Sequence, residues 1–199
     1  MSNQVPAWQG PILDNHFHLN RNGRYLDAAH DFKRAGGTNI VLIHCPDFAS
    51  PPTTKEGHRA AYQNTISMAE SVRTELDLHV RVVLGPHPAA FAHQFIEWVE
   101  QEGAKGKNRA IENYRDSIDE AVKFYHEGKA HAIGEVGRPH WEVSQEIWDL
   151  SNDLLCETMS LAANDGFALQ LHVEGELEST YIDMAAMAEK SGLQKDRLI

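Results

Sequence analysis

Five times along this chain a short apolar run gives way to a stretch of helical periodicity, and each run ends on, or leads directly into, a histidine or a carboxylate. The runs are Ile12–Asn15, followed by His16 and His18; Asn39–His44; His79–Leu84, followed by Gly85-Pro86-His87-Pro88; Ala130–Glu135; and Phe167–His172. Near-continuous apolar character over four to six residues predicts strands buried on both faces, as in a parallel sheet. Between them the spacing predicts helices over Tyr25–Ala35, closed by Gly36-Gly37, and over Glu56–Leu76, with Ala61, Thr65, Met68, Val72 and Leu76 as the buried stripe. Further helices are predicted over Phe91–Glu102, Arg109–Glu127, Ser144–Asn164 and Leu177–Lys190, with Cys45–Thr54 and the Gly/Lys-rich Gly103–Asn108 as loops. Arg197-Leu198-Ile199 reads as the opening of one more strand.

Strand–helix alternation of this kind implies an α/β fold with right-handed crossovers. An open doubly wound sheet competes, but no glycine-rich phosphate loop follows the first strand, where a dinucleotide-binding fold places one. A (β/α)8 TIM-barrel type explains the polar residues better, because a barrel collects its chemistry at the C-terminal ends of the strands. No linker or low-complexity segment divides residues 1–199, so a single domain is expected. With 42% hydrophobic and 24% charged residues the chain can bury an ordinary core. Its net charge of −11 argues against broad capture of nucleic-acid phosphates on a basic surface, though not against metals that bind one phosphate. Residues 1–7 have neither the basic start nor the apolar segment of a leader, no run approaches the roughly 20 residues that span a bilayer, and two cysteines do not make a disulfide framework; a cytoplasmic protein is expected.

His16 and His18 lie two apart, so in extended backbone their imidazoles converge while Phe17 points to the opposite side. Alone, two solvated loop histidines would explain the pair equally well. With His44, His87, Glu135 and His172 at later strand ends, a metal site explains the set better. Glu135 stands alone as a strand-end carboxylate after the first strand, and it is the candidate bridge between two divalent ions, which such ligands accept as Zn, Mn, Mg, Fe or Ni. His87, held between two prolines, is expected to contact substrate or act in catalysis, with a structural turn as the competing role. Arg138 and His140, just beyond Glu135, are candidates for holding a phosphate or carboxylate of the substrate, against a surface ion pair. His44 is a weaker candidate, and Cys45 is expected to be a buried cysteine rather than a nucleophile.

His16-x-His18 after a strand, Gly85-Pro86-His87-Pro88, Ile133-Gly134-Glu135-Val136-Gly137 and Leu169-Gln170-Leu171-His172 resemble, in order and over nearly the whole chain, the motifs of TatD-like metal-dependent hydrolases of the amidohydrolase superfamily. The resemblance implies that His16 and His18 bind one metal, that Glu135 bridges two and that His172 binds the second. It also implies hydrolysis of a phosphodiester or related ester, with DNase activity known in some members. Two departures qualify it. Arg138-Pro139-His140-Trp141 follows Gly137 where many relatives have an apolar residue and then Asp, which resembles a divergent, archaeal-type branch. The family also expects a sixth-strand His and an eighth-strand Asp, whereas this chain reaches Ile199 as its sixth strand begins. The expectation is therefore a barrel truncated after about five βα units, with doubtful activity for the 199 residues alone. The expected function is metal-dependent hydrolysis of a phosphodiester, ester or amide, on a small phosphorylated or carboxylated molecule or a DNA end, with no membrane partner. The alternative is a non-catalytic metal-binding or assembly protein that keeps a partial barrel.

Overall fold

The computed structural model describes residues 8–199; the N-terminal residues read above for leader character, 1–7, lie outside the described residues. Five strands, β1 (Leu13–Phe17), β2 (Asn39–Ile43), β3 (His79–Leu84), β4 (Ala132–Gly137) and β5 (Leu169–His172), form one parallel sheet in the order β1-β2-β3-β4-β5. They alternate with helices α1 (Leu26–Arg34), α2 (Lys55–Leu76), α3 (Pro88–Glu102), α4 (Ala104–His126), α5 (Gln145–Asp165) and α6 (Glu178–Lys190). Leu198 pairs in parallel with Leu169, and Ile199 exchanges backbone hydrogen bonds with Leu169 and Leu171, so strand pairing resumes after a 3₁₀ turn at Lys195–Arg197. No helix among the described residues is long and apolar enough to cross a membrane.

The sheet is curled into a half-barrel. Laid flat, five strands would separate β1 from β5 by about 19 Å at the usual inter-strand spacing. Here the Gln170 amide on β5 donates to Asn15 O on β1 over 3.2 Å. The concave face is lined by a small apolar cluster of Ile43, Val83 and Ala132 with Val41 and Ala168, while Ile40, Leu42, Val80, Val82, Leu84, Ile133 and Leu169 face the helices in the main core. Strand alternation thus gives every position a side. A register irregularity between Gly134 and Val136 breaks the alternation on β4: Ile133 and Val136 both reach the main core, and Glu135 is turned to the concave mouth.

One predicted loop is helix. Gly103–Asn108 contributes a single break at Gly103, which takes a positive φ of 61°, and α4 starts at Ala104. Gly106 lies where α4 crosses α3, and a Cβ there would fall 1.9 Å from Trp98 O. The glycine marks a close helix–helix approach rather than a turn, a distinction composition does not carry.

Candidate metal centre

Three strand ends, those of β1, β3 and β5, deliver four imidazoles to one carboxylate at the end of β4. Glu135 is buried, with a side chain 4% exposed; His16 Nε2 lies 3.2 Å from its Oε1, His172 Nδ1 3.1 Å from the same oxygen, and His18 Nε2 3.7 Å from Oε2. His16 and His18 face each other Nε2 to Nε2 at 3.0 Å, with Phe17 on the other side packed against Phe32. His87 sits beside His172, ring centroids 4.3 Å apart. Two groups hold one donor atom per residue within 4.8 Å of one another: His16, His18 and Glu135, and His87, Glu135 and His172. Burial alone would raise the Glu135 pKa, but the hydrogen bond from His172 and the neighbouring His16 and His87 hold it below the usual carboxylate value. Glu135 is therefore an anion surrounded by rings.

The partners of each ring nitrogen decide what the ring can offer. His18 Nδ1 lies 3.1 Å from Ile43 O; a carbonyl only accepts, so Nδ1 carries the proton and the neutral ring's lone pair is on Nε2, facing Glu135 and His16. His172 Nδ1 lies 3.1 Å from Glu135 Oε1, the spacing of two ligands on one ion as much as of a hydrogen bond. A backbone carbonyl behind the ring, as behind His18, is the usual support of a metal-ligating histidine. His87 is opposite. Its Nδ1 caps α3, accepting from Ala89 N over 3.0 Å, so its proton is on Nε2 and it offers a donor rather than a lone pair. Burial first, then the charge of His172, lowers the His87 pKa to about 4, which keeps the ring neutral near pH 7.

The donor set fits a divalent cation. Two nitrogens on one tetrahedral zinc at 2.0–2.1 Å lie about 3.3 Å apart, close to the 3.0 Å between His16 and His18. Neutral imidazoles with one carboxylate suit borderline ions of the Zn or Mn kind.

Arg138, expected at the substrate, is placed otherwise. Its guanidinium is buried, paired bidentately with Glu174, bonded to Asn152 Oδ1 at 3.0 Å and Asp183 Oδ2 at 2.8 Å, and lies 4.5 Å from the centre of the Trp148 ring. It ties the end of β4 to the segment after β5. Its backbone N donates to His172 O, where Gly137, at φ 152°, allows an approach that a Cβ would block at 2.0 Å. His140 does reach the mouth, with Nδ1 2.7 Å from His172 Nε2. His44 faces the helices, on the parity of Ile40 and Leu42, and is hydrogen-bonded to Thr65 Oγ1 at 2.9 Å and packed edge-on against Tyr62. Cys45 is exposed, not buried as expected, because it begins the loop after β2; partial burial and the Glu135 charge push its thiol pKa up, against a nucleophilic role. Gln170, which the sequence reading passed over, lies 3.3 Å from His16 Nδ1. Its position two residues before His172 on a strand was the available signal.

A family model described as TatD related DNase matches residues 13–197. The uncharacterized protein MJ1127 of Methanocaldococcus jannaschii is 28% identical over 191 residues, covering 95% of this chain and 64% of that protein. An uncharacterized amidohydrolase from Saccharomyces cerevisiae, known from its crystal structure, superposes with a TM-score of 0.53 at 16% identity, over 86% of this chain and 47% of its own. The chain thus spans just under two thirds of the curated relative it matches and about half of the solved one.

Proposed function

The chain belongs to the TatD related DNase family, and on that premise we propose that it carries the metal-binding half of a metal-dependent hydrolase site that cleaves a phosphodiester, ester or amide. His16, His18 and Glu135 would hold one divalent ion and His172 would contribute to a second, with Glu135 serving both halves. The observation that carries this reading is the single buried carboxylate in reach of three strand-end imidazoles. Divalent ions held there would lower the pKa of water towards neutrality and polarise the group under attack.

The protein's own residues have separable tasks. Glu135 stays ionised because its neighbours outweigh its burial. His18 keeps Nδ1 protonated through Ile43 O and so keeps Nε2 free of protons for a ligand, while His172 sets its Nδ1 3.1 Å from Glu135 Oε1, where the two would share the second ion. His87 turns a neutral Nε2–H towards the same mouth, suited to donate to a phosphoryl or carbonyl oxygen of the substrate. Among the described residues Arg138, the guanidinium nearest the strand-end Glu135 in sequence, is engaged elsewhere, so a bound phosphate or carboxylate would rely on the ions and on His87. A small phosphorylated or carboxylated molecule and a DNA end both fit that chemistry.

Metal content of the purified chain tests the reading. Wild type should retain zinc or manganese after dialysis, and Glu135→Ala and His172→Ala should retain less. Equal metal in all three would refute it. Hydrolysis of bis(p-nitrophenyl) phosphate against p-nitrophenyl acetate would then separate phosphodiester from ester chemistry.

A further inference from the structure

We propose that the cleft between the segments that follow β1 and β2 is a substrate subsite, in which Arg21 holds a second anionic group of the substrate and Phe48 supports the flat part that joins it to the bond cleaved. The inference rests on the metal-site reading above and specifies its substrate: a small molecule with one oxyanion, phosphate or carboxylate, beyond the scissile group.

Three observations converge. First, the cleft borders the metal centre. Residues 19–22, directly after His18, form one wall, residues 45–49 form the other, and α2 closes it at Asn64 and Met68. Its volume of about 640 Å³ falls in the roughly 300–1,000 Å³ range of small-molecule sites. Phe48 stands edge-on to His87, ring centroids 5.4 Å apart, and the Glu135 charge is felt at the Cys45 thiol.

Second, among the described residues no carboxylate pairs with Arg21. Its Nε donates to Asn64 Oδ1 over 2.8 Å, and its Nη atoms donate to Tyr25 Oη and Ser67 Oγ over 3.2 Å each, with the guanidinium carbon 5.0 Å from the centre of the Tyr25 ring. These neutral partners fix the plane of the fork and leave two of its five N–H groups to donate to an oxyanion. Arg24, Arg59 and Arg115, by contrast, each face a carboxylate. Asp47 also lines the cleft, but its Oδ1 accepts from Ala49 N and so serves its own loop.

Third, Phe48 is half exposed in a loop stiffened by Pro46, Pro51 and Pro52 and by the Asp47 turn. A lone exposed phenylalanine needs no explanation; one held against the neutral ring that faces substrate is a platform for a flat group. One guanidinium in a chain of net charge −11 favours a single further oxyanion over a long polyanion.

The test uses the full 199-residue chain loaded with Zn²⁺ and compares thymidine 3′,5′-bisphosphate with thymidine 5′-monophosphate by calorimetric titration, in the wild type, Arg21→Gln, Phe48→Ala and Arg24→Gln. All three side chains are exposed, so the variants should keep the far-ultraviolet circular dichroism of the wild type. The wild type should bind the bisphosphate about tenfold more tightly, the worth of one charge-assisted contact. Arg21→Gln should abolish that preference and Phe48→Ala should weaken both ligands several-fold. Arg24→Gln removes an equal charge from a neighbouring ion pair and should keep the preference. In parallel the metal-free chain is titrated with phenyl phosphate and with benzoate, and a saturable shift of the Arg21 Nε–H resonance with either one names the oxyanion. A zinc-loaded wild type without the preference, the same preference in Arg21→Gln, or its loss in Arg24→Gln overturns the inference and leaves the metal site standing. A wild type that binds no zinc overturns the site reading; the Arg21 resonance then decides the cleft, and no shift with either anion overturns that too.

Discussion

Two histidine-rich regions lie back to back in this molecule, and they differ in where their lone pairs go. At the mouth, His16 and His18 have side chains 48% and 36% exposed and converge on each other and on Glu135. Behind β2 and β3, His44 and His58 are buried and each is answered by a neutral partner. His44 Nδ1 donates to Thr65 Oγ1, whose own hydroxyl points to Ala61 O, and His58 Nε2 donates to Asn113 Oδ1, whose amide nitrogen is given to Pro52 O and Gln94 Oε1. The same residue type thus serves as structure where its neighbours are hydroxyls and amides, and as a candidate ligand where they are a carboxylate and other imidazoles. The two regions should respond oppositely to substitution.

The largest expected effect is at the mouth. Glu135→Ala removes the group both halves share, and metal affinity should fall at least about 1000-fold, or roughly 4 kcal/mol. Thermal stability of the metal-free protein should fall only slightly at neutral pH, because the neighbours that hold the Glu135 pKa below the usual carboxylate value favour the ionised group in the fold and its removal leaves His172 Nδ1 without that partner. Calorimetric titration and melting of the apo-protein check the two halves; a variant that loses stability and keeps metal would reverse the comparison. The converse is His58→Ala, which leaves a buried cavity and an unanswered Asn113. It should cost about 2–3 kcal/mol in urea unfolding with metal affinity unchanged.

Acid sharpens the contrast. Burial, then the charges of His58 and His18, lowers the His44 pKa to about 3, far below the 6.5 of the unfolded chain. Between those values the unfolded state binds the extra proton, so this contribution is intact above about pH 6.5 and is lost as pH falls towards 3. The loss approaches about 1.4 kcal/mol per pH unit within that window, roughly 2 kcal/mol by pH 5. Urea midpoints of the apo-protein at pH 7, 6 and 5 measure it, and His44→Asn, which cannot titrate, should flatten the slope. An unchanged slope would show that His44 is not the group responsible.

Much of this was legible before any coordinates. Strand ends and the alternation of elements specify a parallel sheet with its chemistry at one rim, and the His-x-His spacing specifies convergence. What sequence did not carry is parity across an irregular strand and the commitment of each polar group. His44 and His87 both follow strands, yet alternation puts His44 on the helix side with Leu42 and leaves His87 at the mouth. Counting from the apolar residues of β2 could have separated them. Glu135 defeats such counting, because the irregularity at Gly134–Val136 moves it across the sheet. Arg138 fails differently: its partners Glu174 and Asp183 lie 36 and 45 residues away, and only folding brings them together.

The smallest effect concerns Gln170, a buried residue of the wall that works for the mouth. Its amide is 3.2 Å from Asn15 O and 3.3 Å from His16 Nδ1, so it ties the two outermost helix-connected strands of the half-barrel and backs the first histidine of the site. The same Gln170 Nε2 meets both partners, and Asn15 O only accepts, so it is the amide N–H that faces His16 Nδ1 and holds the ring's direction from behind. Gln170→Leu keeps the volume and removes both contacts. Metal at the His16–His18 side should weaken about tenfold, near 1.4 kcal/mol and at the low end for an orienting partner, with the His172 side unaffected. A titration that resolves the two equivalents decides it: equal weakening of both would make Gln170 a general prop of the curled sheet, while selective loss assigns it to His16.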